Sequence, residues 1–409
     1  MADKREVLST MNRMVGFINE ALVAEGLSAQ LIRAKRSYLT ISFKLSLDQP
    51  TQSNIARVGA LGQSISHRSG ISPVRVDVGG GVISVEYPSP YPTTPSGEVF
   101  ATYMRGANLC VGFDNWGEAQ YVNIKDRNVI GFIGIPGSGK STAMRTILYG
   151  MQKTNPIKFV VFSEKVSEWS TWAKVQSCVG VYGDVGQIEE ILTQGVDHLN
   201  RISQSGEAPK PTLLIVDDLQ SLLSKNKAIG KLVGNIASIG RAMKFYIFLG
   251  TTSWGSNEVS GGFALEDSTA ARLVFSTASN VAGARATGQK GSGVAELSGR
   301  KGDALLITPS GTFRTTTGWV TDDMVMGNLP LKNKTEISVA PVKKQLSEAR
   351  VDLPVITPSR LLTESEVDQV KGYCEWVRQT KGVYPSLTKV IEGVYGKKNT
   401  SRDNLMKAS

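Results

Sequence analysis

Cysteine and histidine are scarce in this sequence. The three cysteines, Cys110, Cys178 and Cys374, are far apart, none belongs to a C-x-x-C pair, and the only histidines are His67 and His198. Neither a disulfide framework nor a zinc site fits this spacing. We therefore expect the thiols to be buried or incidental side chains of a protein in a reducing cytosol, not catalytic groups.

Long apolar runs are missing as well. No stretch of about 20 apolar residues, the length that spans a bilayer, occurs anywhere in the chain. The first residues, MADKREVLSTMNRM, lack the apolar centre of a secretion signal. We expect a chain with no membrane segment and a cytoplasmic location.

The remaining composition is that of a folded protein with several domains. The chain has 409 residues, more than one hydrophobic core normally serves, and 41% of them are apolar and 20% charged. The formal net charge is +10. A basic excess favours a polyanionic partner such as nucleic acid, although a merely basic surface also explains it.

Residues 1–100 have the pattern of a small N-terminal α/β domain. A first helix has an apolar side formed by Val15, Ile18, Leu22 and Val23. An alternating strand, a helix and a hairpin across three glycines follow: Tyr38–Leu47, Ser53–Ser66, and Val74–Val78 with Val82–Tyr87. The proline-rich segment Pro88–Gly97 is expected to end this domain as a stiff connector.

Residues 101–332 alternate apolar strands with helical segments, which predicts a parallel sheet covered on both faces. The predicted strands are Val129–Ile133, Phe159–Phe162, Thr212–Val216, Tyr246–Leu249, Leu273–Ser276 and Ala304–Ile307. Residues 333–362, rich in basic residues, Pro and Ser, are predicted to be a linker. Residues 363–409 are predicted to form three short helices, which is typical of a helix-turn-helix or winged-helix-like DNA-binding module.

One motif in the second region carries specific chemistry. The segment GIPGSGKS, Gly134–Ser141, lies between an apolar strand and the predicted helix Thr142–Met151. Glycines let backbone N–H groups converge on phosphate oxygens, the lysine reaches the β- and γ-phosphates, and the serine hydroxyl binds Mg²⁺. The residues predicted to bind the nucleotide are Gly134, Pro136, Gly137, Ser138, Gly139, Lys140, Ser141 and Thr142. The fold class is therefore predicted to be α/β with a RecA-like P-loop NTPase core, and the cofactors ATP and Mg²⁺.

Two acidic residues supply the second half of the predicted site. The strand TLLIVDDLQ, Thr212–Gln220, ends in Asp217 and Asp218. Asp217 is expected to hold Mg²⁺ together with Ser141, and Asp218 to orient or deprotonate the attacking water. A pair of acids after a strand is also common in a plain solvated turn.

Other candidates for catalysis come from the following strand and from arginines around it. Thr251 and Thr252 end the strand Tyr246–Ser253 where a γ-phosphate sensor would lie, although Thr commonly ends strands. One of Arg241, Arg272 and Arg285 is a candidate arginine finger for a neighbouring subunit. Each of these arginines also fits a structural or DNA-facing role.

The predicted third helix of residues 363–409 carries a basic cluster. The predicted DNA contacts are Lys397, Lys398, Thr400, Ser401, Arg402, Asn404 and Lys407. The cations would meet phosphates, and the shorter polar side chains would face base edges. A solvated helix face is the alternative.

The order of these features resembles the FtsK/SpoIIIE family of double-stranded DNA translocases, within the FtsK–HerA ATPases. YLTISFKLSLDQPTQSNIARVGALGQSIS with VISVEYPSP is similar to its α domain, and FDNWGEAQYVNIKDRNVIGFIGIPGSGKS to its entry into the phosphate-binding loop. SIGRAMKFYIFLGTTS, ARLVFSTASNVAGARATGQ and GRKGDALLITPSG are similar to its later strands. The resemblance implies an ATP-driven, DNA-stimulated translocase that forms a homo-hexameric ring around double-stranded DNA, as in DNA segregation.

The sequence departs from this family in three places. Asp218 stands where the family commonly has Glu, Gly-Thr-Thr-Ser stands where it has Ala-Thr-Gln-Arg, and the C-terminal module stops after its third helix. Two alternatives stay open. One is a conjugative or packaging ATPase of the same superfamily, and the other is a nucleotide-switched DNA-binding or partitioning protein.

Overall fold

The computed structural model describes residues 4–332, with gaps at 60, 126, 206–207, 255–264, 266–267, 289–293, 295–296 and 298. Within this part of the chain the helices are α1 (Lys4–Ala24), α2 (Gln52–Gly59), α3 (Leu61–Ser69), α4 (Gly97–Tyr103), α5 (Lys140–Thr154), α6 (Val185–Ser205), α7 (Leu219–Lys225), α8 (Ala228–Gly240), α9 (Asn280–Thr287) and α10 (Asp322–Asn328). The strands are β1 (Ala29–Arg36), β2 (Thr40–Leu47), β3 (Arg75–Gly79), β4 (Val82–Pro88), β5 (Asn108–Phe113), β6 (Ala119–Asn123), β7 (Val129–Ile133), β8 (Lys158–Phe162), β9 (Cys178–Tyr182), β10 (Thr212–Val216), β11 (Phe245–Thr251), β12 (Thr269–Val274), β13 (Asp303–Thr308) and β14 (Gly311–Thr316). The predicted linker and C-terminal module lie outside the described residues.

The first sheet is antiparallel, with strand order β1-β2-β4-β3. Apolar side chains of β2 and β4 and of α1 and α3 form its core, among them Phe43, Leu45 and Ile18. The predicted hairpin is confirmed as β3 and β4, whereas the single predicted helix Ser53–Ser66 is two helices, α2 and α3. The prediction that Val23 lies on the apolar side of α1 is wrong, because its side chain is 73% exposed.

The second sheet has ten strands in the order β6-β5-β14-β13-β12-β7-β11-β10-β8-β9. The strands from β12 to β9 are parallel, and this part contains five of the six predicted strands. The strands from β13 to β6 pair in antiparallel fashion. The expected parallel sheet is therefore a mixed one, because an antiparallel meander extends one side of it.

Successive residues of the central strands point to opposite faces of the second sheet. Ile130 and Phe132 of β7 belong to the core that includes α5, whereas Val129 and Ile133 belong to the core that includes α6 and α8. All five residues of β7 are buried. A strand buried on both faces reads as a continuous apolar run, which is why β7 was predictable.

The register of the parallel strands brings several loops to one edge. Val216 at the end of β10 pairs with Phe162 of β8 and with Leu249 of β11, and Ile133 at the end of β7 pairs with Thr251. The segments that follow β7, β8, β10 and β11 therefore start side by side. Ligands of open α/β sheets bind at this carboxyl edge.

The expectation of buried thiols is confirmed for two of the three cysteines. Cys110 and Cys178 are buried, and burial raises the pKa of each thiol to about 12. Thiolates, not thiols, are the reactive species, so neither side chain suits nucleophilic catalysis. Cys374 lies outside the described residues. No helix in the described part of the chain has both the length and the apolar character needed to cross a membrane.

Candidate nucleotide site

The loop Gly134–Gly139 connects β7 to α5 at the carboxyl edge. Gly139 has φ +109°, in the left-handed region, and a Cβ atom on it would lie 3.0 Å from the backbone nitrogen of Gly302. Both the backbone angle and the close approach require glycine at this position. Helix α5 begins at the next residue, and the N–H groups of its first turn have no partner within the helix. The end of the loop is thus a place where backbone N–H groups and the helix dipole favour an anion.

Lys140, the first residue of α5, lies beneath this loop. Its Nζ atom donates hydrogen bonds to the carbonyl oxygens of Gly134 at 2.8 Å and Ile135 at 3.1 Å. The side chain is buried, and burial lowers the pKa of the ammonium, while Asp218 and Asp217 act in the opposite direction. The loop therefore fixes a cation where phosphate would bind.

Ser141 and Asp217 form a direct pair between α5 and the end of β10. The serine Oγ donates to Asp217 Oδ1 at 2.9 Å, and the indole Nε1 of Trp169 donates to Asp217 Oδ2 at 3.1 Å. Burial raises the pKa of the Asp217 carboxyl, and the bonds from Trp169 and Ser141 oppose that rise. Two donors thus fix the orientation of a carboxylate that is 3% exposed.

The two predicted metal ligands fit Mg²⁺. The Ser141 Oγ and Asp217 Oδ1 atoms lie 2.9 Å apart, joined by a hydrogen bond, and both are hard oxygen donors of the kind that Mg²⁺ prefers. Within the described residues, no group of three or more His, Cys, Asp and Glu side chains is arranged to hold a metal. A site with one carboxylate and one hydroxyl suits Mg²⁺, which keeps several waters and takes phosphate oxygens as ligands.

Asp218 is the residue before α7 and has an unusual backbone conformation. Its φ of 64° and ψ of 55° lie in the left-handed region, which Asp adopts more readily than most residues. The side chain is 30% exposed, and one of its oxygens lies 3.9 Å from Nζ of Lys165. This carboxylate lines the cavity above the loop, as does the buried Asp217.

A cavity of about 240 Å³ lies above the loop. Its lining contains four basic and three acidic residues together with the turn of the loop: Pro136, Gly137, Gly139, Lys140, Ser141, Thr142, Arg145, Lys165, Glu168, Asp217, Asp218 and Lys301. Gly134 and Ser138 are not in this lining. Gly134 acts through its carbonyl bond to Lys140, and the Ser138 carbonyl contacts Gly302. The predicted loop and both predicted acids are thus brought together.

Four residues of this lining were not predicted from the sequence. Arg145 donates hydrogen bonds to the backbone carbonyl oxygens of Ser141, at 3.2 Å, and Glu168, at 3.1 Å. It lies one helical turn after Ser141, so helical spacing alone could have indicated it. Lys165 and Glu168 follow β8, whose end adjoins that of β10. Lys301 lies 160 residues after Ser141 in the sequence, so no local pattern near the loop indicated it.

One of the two predicted sensor residues, Thr251, contacts the loop through its backbone. The Thr251 carbonyl accepts from Gly134 N at 3.1 Å, and the Thr251 hydroxyl donates to the Ser253 carbonyl at 2.9 Å. Thr251 is buried and Thr252 half-buried, and neither lines the cavity. A sensor role for Thr252 stays a prediction.

The three candidate finger arginines lie outside this cavity. Arg241 follows α8 at the amino end of β11, the edge opposite the loop. Arg272 and Arg285 line a second cavity, of about 400 Å³, with Arg127 and Trp254, and the Arg272 guanidinium lies 5.9 Å from the Trp254 ring centroid. The predicted DNA contacts Lys397, Lys398, Thr400, Ser401, Arg402 and Lys407 lie outside the described residues.

Comparisons with known proteins define the fold. No protein-family model matches the chain, and no curated protein matches it. One similar solved structure is the pCW3 conjugation coupling protein TcpA, in a monomer form with ATPγS, which is 15% identical with a TM-score of 0.50 over 83% of this chain and 100% of that one. Another is the cytoplasmic domain of the type VII secretion ATPase EccC of Thermomonospora curvata, which is 16% identical with a TM-score of 0.50 over 59% of this chain and 33% of that one.

At these identities the likeness concerns the fold. Both similar structures are of proteins named for conjugation or secretion, and one holds an ATP analogue. Together with the parallel strand order β12-β7-β11-β10-β8-β9, they confirm the predicted α/β architecture with a RecA-like P-loop NTPase core.

Proposed function

Given a RecA-like P-loop ATPase fold, we propose that this protein binds and hydrolyses Mg·ATP in the cavity above the loop Gly134–Gly139. The observation that carries the proposal is the Ser141–Asp217 pair, which brings a hydroxyl and a carboxylate oxygen together beside the buried Lys140. Mg²⁺ held there would neutralise phosphate charge. Lys140 and the first N–H groups of α5 would hold the phosphates, and Arg145 and Lys165 add positive charge to the lining.

Asp218 is proposed to position the attacking water. Its carboxylate is more exposed than that of Asp217 and lines the same cavity, so it can accept a proton from water that enters there. The two neighbouring carboxylates have different partners, because Asp217 accepts from Ser141 and Trp169 whereas Asp218 lies near Lys165. Asp217 is thus assigned to the metal and Asp218 to the water.

Asp218→Asn should bind ATPγS with nearly unchanged affinity and hydrolyse ATP at least about a hundredfold more slowly, the usual loss when a general base is removed. Binding is measured by calorimetry and turnover by phosphate release. The control is Asp322→Asn, which alters an exposed first-turn aspartate of α10 outside the cavity. Wild-type turnover in Asp218→Asn would place the base elsewhere.

We propose further that hydrolysis drives movement along double-stranded DNA. The support is the ordered resemblance to the FtsK/SpoIIIE translocases, the net charge of +10 and the predicted C-terminal DNA-binding module. A homo-hexameric ring would let a neighbour complete each site with Arg241, Arg272 or Arg285. Arg272 and Arg285 are the stronger candidates, since the cavity they share with Arg127 concentrates three guanidinium groups. In such a ring, basic side chains would hold the DNA backbone in a salt-sensitive manner.

A conjugative or packaging ATPase of the same superfamily is the second candidate. The similarity to TcpA, which is named as a conjugation coupling protein, favours it. Such a protein would also move DNA, so both candidates predict translocation. A nucleotide-switched partitioning protein would instead change its DNA affinity with nucleotide and leave the DNA in place.

Translocation is tested by displacement of a third DNA strand. Wild-type protein with ATP should release a labelled triplex-forming strand from linear duplex DNA, and ATPγS in place of ATP should stop the release, because movement requires hydrolysis. Lys140→Ala serves as the protein control. Protein that hydrolyses ATP and binds duplex DNA but leaves the triplex intact would exclude the motor and favour the switch.

A further inference from the structure

A short segment of the antiparallel part of the second sheet touches the phosphate loop. In the segment Arg300–Asp303, Gly302 N lies 3.5 Å from the carbonyl oxygen of Ser138, and Lys301 lines the phosphate cavity. Gly302 has φ +90°, and a Cβ atom on it would lie 3.2 Å from the hydroxyl of Thr317. The segment therefore passes close to the loop because its turn is built on glycine.

One end of this segment contacts the residue after β4 directly, and the other end reaches β4 through Arg314 of β14. At one end, Arg300 Nη1 donates to the Ser89 carbonyl oxygen, just after β4, at 3.2 Å. At the other end, Asp303 accepts two hydrogen bonds from Arg314, at 3.0 Å from Nε and 2.8 Å from Nη2. Arg314 Nη1 also lies 3.5 Å from Glu86 Oε2 on β4.

The ion triad Glu86–Arg314–Asp303 is buried. The exposed fractions of these residues are 8%, 7% and 2%, and Asn115 also donates to the Glu86 carboxylate. Arg314 contacts Asp303 through two nitrogens and Glu86 through one. Buried ion pairs keep a fixed geometry, because breaking one leaves an uncompensated charge away from water. The position of β4 is therefore fixed relative to Asp303, two residues from Lys301.

From these contacts we propose that Lys301 is a phosphate ligand of the nucleotide, and that Glu86 is a positioning residue that holds Lys301 at the cavity through Arg314 and Asp303. The N-terminal domain thereby sets the nucleotide affinity of the motor core. The inference rests on the proposed function in one respect, the identity of the ligand as a nucleoside triphosphate. It adds a ligand from outside the loop and a physical link between the two sheets.

The test is calorimetric titration of the full chain with Mg·ATPγS. Lys301→Ala should weaken binding about tenfold, the value of one charge-assisted hydrogen bond, whereas Lys301→Arg should keep most of the affinity since it keeps the charge. Glu86→Gln preserves side-chain volume and leaves the Arg314–Asp303 pair, so the fold should persist. It should weaken binding about fivefold, the lower end of typical couplings between sites.

A control and a double variant separate positioning from general loosening of the domain. Trp116, whose ring lies 5.0 Å from the cationic groups of Arg33 and Lys44, joins the same two parts of the chain through β1 and β2 and not through β4. Trp116→Ala should leave ATPγS affinity unchanged. Adding Glu86→Gln to Lys301→Ala should cause no further loss, because Glu86 acts through Lys301.

The outcomes distinguish this inference from the proposed function. Wild-type affinity in Lys301→Ala, or an equal loss from Glu86→Gln in the presence and absence of Lys301, would overturn the inference and leave the ATPase proposal intact. If Glu86→Gln is not recovered folded, Arg300→Ala removes the other attachment and should give the same non-additive loss. Absence of ATPγS binding by the wild-type chain would instead contradict the proposed function.

Discussion

Replacing Lys140 by alanine is expected to abolish both ATP binding and ATP turnover. The ammonium group is buried beneath the loop and held by two loop carbonyls, so it meets the phosphates in a site with little water to screen it. Loss of such a charge should lower ATPγS affinity at least about a hundredfold. Calorimetry with Mg·ATPγS and a phosphate-release assay measure the two effects.

The folded state should survive this change. Burial already lowers the pKa of Lys140, so the ammonium is costly to keep in the folded protein, and its removal relieves that cost. Lys158→Ala is the matched control, since Lys158 is exposed at the amino end of β8, on the opposite edge of the sheet. Folded Lys140→Ala protein that binds ATPγS as tightly as Lys158→Ala would place the nucleotide somewhere other than the loop.

Asp217→Asn is expected to remove the response of the protein to Mg²⁺. Asparagine keeps the size of the side chain and an oxygen that can accept from Ser141 or Trp169, but it loses the charge that attracts the cation. Turnover should fall at least about a hundredfold, since a catalytic metal is worth several kcal/mol. Affinity for ATPγS should rise with Mg²⁺ in the wild type and should not rise in the variant.

Asp184→Asn is the control variant for Asp217→Asn. Asp184 is exposed, follows β9 at the same edge of the sheet and accepts a hydrogen bond from Gln187 N at the start of α6. A Mg²⁺ response in Asp217→Asn equal to that of Asp184→Asn would show that the metal does not depend on Asp217.

The parts of the fold that were predictable are those in which local sequence and burial agree. Strands β7 and β10 are buried apolar runs, and each leads directly into residues with functional chemistry, Lys140 and Ser141 in one case and Asp217 in the other. Strand β1 was not predicted, because this edge strand carries three basic residues and a bulge between Leu31 and Arg33. Its pairing depends on β2 and not on an apolar pattern of its own.

In the candidate site, too, the residues that could be predicted are those that local sequence marks. The loop and the two aspartates were predictable because each lies within a few residues of a recognisable strand. Trp169 and Lys301 were not, since a tertiary contact alone brings them to Asp217 and to the phosphate loop. The triad joins Glu86 to Asp303 and Arg314, which lie more than 200 positions later in the sequence, and only the pairing of β13 with β14 and the packing of β4 reveal it.

The proposed DNA motor depends on ATP hydrolysis at the loop and on its coupling to DNA. Steady-state phosphate release, measured with and without long linear duplex DNA, tests both at once. We expect turnover that requires Mg²⁺, that is absent in Lys140→Ala and that duplex DNA stimulates strongly, with longer duplexes more effective than short ones. Mg²⁺-dependent turnover that duplex DNA of any length leaves unchanged would contradict the account of this protein as a DNA motor.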